Sequence, residues 1–145
     1  AAGLFHPQAP MALQRLGDQG LGFPTPPIYT VTINLLSLPS VGDADLERVL
    51  RALVKAEQFI KTQQVRARDD LVRQLGLTAP TVDGILREFD FHVDLNQSLL
   101  VSLESQARWS KRSTLVDSRT VVDYFQRMRP GPLRRIDARR VTLIK

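Results

Sequence analysis

The chain has 145 residues, 43% of them hydrophobic and 24% charged, with a net charge of +5. That length suits one ordinary domain with a real core, and the composition excludes wholesale disorder. With no cysteine and only two histidines, His6 and His92, the chain has no disulfide scaffold, no thiol nucleophile and too few imidazoles for a multi-histidine metal centre.

The charge is unevenly placed. Residues 127–145 hold seven basic groups and one acid, Asp137, whereas the other 126 residues hold 13 basic and 14 acidic groups. The basic balance is a C-terminal feature, suited to phosphate backbones or anionic lipid, or simply to a solvated terminus. No apolar run approaches the roughly 18 residues of a membrane span. The opening Ala1-Ala2-Gly3-Leu4-Phe5 lacks a signal-peptide pattern and reads like the interior of a fold. The expectation is a chain that begins partway through a longer protein.

In chain order, Ala9, Met11, Ala12, Leu13 and Leu16 predict a short helix ended by Gly17. Residues 20–27 form a turn-rich connector with Pro24, Pro26 and Pro27. Residues 28–36 then predict a strand, with Tyr29, Val31, Ile33 and Leu35 on one face and Thr30, Thr32 and Asn34 on the other. After Pro39 the period lengthens. Asp43 or Asp45 is placed to cap a helix of about 18 residues whose core face holds Leu46, Val49, Leu50, Leu53, Val54, Phe59 and Ile60. Two short helices follow near 68–75 and 80–89, the first ended by Gly76 and the second capped by Thr78. Asn96 caps a further long helix, with Leu99, Leu100, Leu103, Ala107 and Trp109 expected on or near its packed side. Residues 118–144 predict a short helix around 121–128, a Pro-Gly-Pro break and a short strand at 141–144.

One local motif invites a DNA-binding reading. The run from Asp69 to Val82 has the helix, glycine turn, capping threonine and second helix of a helix–turn–helix, with Thr81, Asp83 and Arg87 toward base edges. The chemistry opposes it. The second helix has one base-capable cation, Arg87, offset by Asp83 and Glu88, and the basic cluster lies far away in sequence.

From Ile28 onward the chain resembles the C-terminal half of a periplasmic substrate-binding protein of the nitrate/sulfonate/taurine ABC importer family. The resemblance rests on five stretches in order. Phe23-Pro24-Thr25-Pro26-Pro27-Ile28-Tyr29-Thr30-Val31-Thr32-Ile33-Asn34-Leu35 is similar to the family's strand that crosses between lobes, and residues 49–60 to its next helix. Phe89-Asp90-Phe91 with Asp94-Leu95-Asn96-Gln97-Ser98-Leu99-Leu100, then Gln106-Ala107-Arg108-Trp109 with Leu115-Val116-Asp117, resemble its later helices. Arg140-Val141-Thr142-Leu143-Ile144-Lys145 resembles its ending. Near the start, Leu4-Phe5-His6-Pro7 keeps the proline of a Trp-Glu-Pro at the family's ligand cleft but carries Phe5 and His6 in place of Trp and Glu.

The resemblance implies a helix-rich α/β chain, part of a type II periplasmic-binding fold. Residues 1–27 would be a remnant of the second lobe, and 28–145 the crossing strand and C-terminal helices of the first. It implies a periplasmic, non-enzymatic solute-binding component for a small anionic molecule, working with an ABC permease and needing no cofactor or metal. Ligand contacts would come from Phe5, His6, Tyr29 and Thr30, since an oxyanion needs fixed donors and a protonated His6 would add a cation. Each also has an ordinary role, packing for Tyr29, hinge hydrogen bonding for Thr30 and a surface loop for His6. Two other readings are a helix–turn–helix DNA-binding domain and a ligand-sensing input domain of a signalling protein. No paired carboxylates or nucleophile–base pair stand at catalytic spacing, so an enzyme is not expected, and neither is nucleic acid. A 145-residue chain lacking the other half of its sheet is expected to form a homodimer near residues 1–36.

Overall fold

The computed structural model describes residues 3–4, 7–23, 31–113 and 122–144. Among these it is helix-rich, with a single two-stranded parallel sheet. Chain contacts divide it into two compact units, Ala1–Val31 with Lys55–His92, and Thr32–Val54 with Val93–Lys145.

The first unit contains α1 (Gln8–Leu16), α3 (Gln64–Leu75) and α4 (Ala79–Glu88). Helix α1 stops at Gly17, as its spacing predicts. Helix α3 ends at Gly76, whose φ of 62° lies in the left-handed region that strains any residue with a Cβ. That turn folds α4 back against α3, and Ala67 and Val82 become fully buried. Thr78 holds the N-cap position of α4, with Pro80 in the first turn. Its hydroxyl bonds the Thr81 hydroxyl at 2.9 Å instead of a backbone N–H.

Helix α2 (Asp43–Thr62) passes from the second unit into the first. The rest of the second unit is β1 (Leu95–Asn96), α5 (Gln97–Arg112), α6 (Tyr124–Arg127), α7 (Pro130–Ile136) and β2 (Val141–Thr142). The strands pair in parallel, Leu95 with Val141 and Asn96 with Thr142. Asn96 caps α5 as expected, its Oδ1 accepting the Leu99 N–H at 3.0 Å. Arg140 extends the tie by donating to the Val93 carbonyl at 2.8 Å, and Gln97 Oε1 accepts the Ile144 N–H at 3.0 Å.

Four expectations are corrected. The described part of the predicted strand, residues 31–36, has no regular secondary structure and joins no sheet among the described residues. Neither unit supplies it with a ladder partner among the described residues. The Pro-Gly-Pro stretch is no break but the first turn of α7, with Pro132 and Leu133 buried. Proline is tolerated there because first-turn N–H groups have no intrahelical acceptor.

The other two corrections concern faces. Along α2 the buried stripe is Leu46 and Val54 with Leu50 half-buried between them, a run of four-residue steps. Val49 and Leu53 lie one step round the helix, and Leu53 is 41% exposed. The apolar face of α2 is wider than what covers it. Along α5, Leu100 is buried and Leu103 and Ala107 half-buried, so the next turn of that stripe falls on half-buried Ser110. Trp109 sits about 200° round from Ala107 and is 56% exposed rather than packed.

The two leucines of α2 give a direct check. Leu46→Ala should lower unfolding free energy by about 2–5 kcal/mol in a urea titration. Leu53→Ala should cost less than about 1 kcal/mol. Similar costs at both positions would contradict this assignment of faces.

Candidate functional site

The four predicted ligand contacts, Phe5, His6, Tyr29 and Thr30, lie outside the described residues. What the structure does describe is three charged constellations, each placed by a helix terminus or a helix pair.

The largest joins the start of α2 to α6–α7 within the second unit. Asp43 is the first residue of α2, and its carboxylate accepts from Arg129 and, at 2.6 Å, from Arg135. Arg135 also donates through Nε to Glu47 at 2.5 Å, one turn further along α2. Arg129 also donates to the Val41 carbonyl at 2.8 Å. The Arg135 hydrogen bond, then that of Arg129, holds the Asp43 carboxyl below the ordinary carboxylate range. Charge at this point also suits the positive end of the α2 dipole. Sequence reading placed Asp43 as a cap; its partners lie 86 and 92 residues away, and no local pattern reveals them.

The second constellation is the fork between α3 and α4 in the first unit. Arg68 donates to both oxygens of Asp83, at 2.6 and 3.1 Å. This bidentate pairing lowers the Asp83 pKa and raises that of Arg68. It bears on the helix–turn–helix reading. Asp83 is held by Arg68, and Thr81 is buried with its hydroxyl on Thr78. Two of the three side chains that the motif would turn toward bases are therefore engaged inside the helix pair.

The third centres on Glu57, whose side chain is only 5% exposed. It accepts from Lys61 Nζ at 2.8 Å and faces His92 Nδ1 at 3.4 Å, all within the first unit. A buried carboxylate must be paired to be tolerated, and two basic groups close on it. Sequence reading did not single out Glu57. Its spacing from Val54 continues the buried stripe, which is the signal that marks it. Elsewhere, Asp137 caps the turn after α7 and pairs with Arg139, which lowers its pKa.

Among the described residues no group of three or more His, Asp or Glu side chains is arranged to hold a metal ion. A depression at the α2–α3 junction is lined by the six consecutive residues 61–66, so it gathers only groups that are already neighbours in sequence. No protein-family model, curated protein or solved structure matches the chain.

Two measurements follow from this geometry. A carboxylate with a depressed folded pKa contributes stability that is present above its unfolded value, about 3.9, and is lost as pH falls through the folded value. The stability difference between the wild type and Asp43→Asn should be full at pH 6 and close below about pH 4. A gap unchanged down to pH 2 would mean that Asp43 gains nothing from its arginines. Separately, Glu57→Ala should cost about 1–3 kcal/mol in thermal or urea unfolding. Glu104→Ala, at an exposed pair on α5, should stay within about 0.5 kcal/mol.

Proposed function

We propose that this chain is part of a solute-binding component of an ABC importer, non-enzymatic and periplasmic, for a small anionic or sulfonate- or nitrate-like molecule. The observation that carries this reading is the ordered run of five sequence stretches from Phe23 to Lys145 that resemble the second half of such proteins. On this reading the chain contributes a partial type II periplasmic-binding fold, and an ABC permease receives the solute. Phe5, His6, Tyr29 and Thr30 contact the ligand.

The physical chemistry supports those roles. A small oxyanion is held by fixed donors, and a tyrosine hydroxyl, a threonine hydroxyl and an imidazolium provide three kinds. Solute sites in two-lobed proteins lie where chain segments cross between lobes, because closure there surrounds the ligand. The run from Thr32 to Gly42 carries no charge, as suits a segment passing between lobes. The engagement of Thr81 and Asp83 within the α3–α4 pair weighs against the DNA-reading alternative.

Titrating the isotope-labelled 145-residue chain with nitrate, bicarbonate, taurine and methanesulfonate, read by amide chemical shifts, tests this. The expected result is weak, saturable binding by one of these anions, in the millimolar range because only part of a cleft is present. Shifts should centre on Tyr29 and Thr30, and Thr30→Val should weaken binding roughly tenfold. No saturable shift with any of the four, or a sequence-selective duplex complex lost on Arg87→Ala, would overturn the reading.

A further inference from the structure

We draw no further inference here: the strongest candidate, the surface patch on α5 where exposed Trp109 stands beside Arg108 and Arg112, has nothing in the structure to show what covers it.

Discussion

Arg135 makes the contact on which the second unit turns. It stands between Asp43 and Glu47, two acids one helical turn apart, and so answers both carboxylates of the first turns of α2 with one guanidinium from α7. The same short helix, α7, carries Pro132 and Leu133 into the core, so charge and apolar packing act through a single element. The individual ion pairs are partly solvated, and exposed pairs contribute little one by one. Their value here is geometric. A guanidinium bonded to two carboxylates, with Arg129 sharing one of them, ties α7 to the first turn of α2.

The helices were legible because their signals are local. Gly17 and Gly76 end helices by backbone conformation, and Asn96 caps by a hydrogen bond three residues ahead, so each acts within one turn. Orientation was less legible. The misplaced residues, Val49, Leu53 and Trp109, are large and apolar, and composition alone assigns such residues to a core. The 3.6-residue period sets Trp109 opposite the Leu100 stripe, but it leaves Leu53 about 20° round from buried Leu46, so periodicity alone does not reject Leu53. Pro130 and Pro132 show the complementary limit. A proline breaks a helix interior but opens a first turn, and only the position of the helix decides which applies.

The charged constellations were the least legible part. Arg68 and Asp83 lie 15 residues apart on facing helices, and Arg135 lies 92 residues from Asp43. Nothing in the spacing of either pair distinguishes it from the many other acid–base pairs in the chain. Glu57 is the instructive exception. It falls three residues after Val54 on the buried stripe, so the periodicity that predicts a core also predicts a buried charge at that point. Such a charge requires partners, and Lys61 at the next turn is the first place to look. The proposed anion contacts at Phe5, His6, Tyr29 and Thr30 rest on resemblance and donor chemistry, not on a local spacing signal.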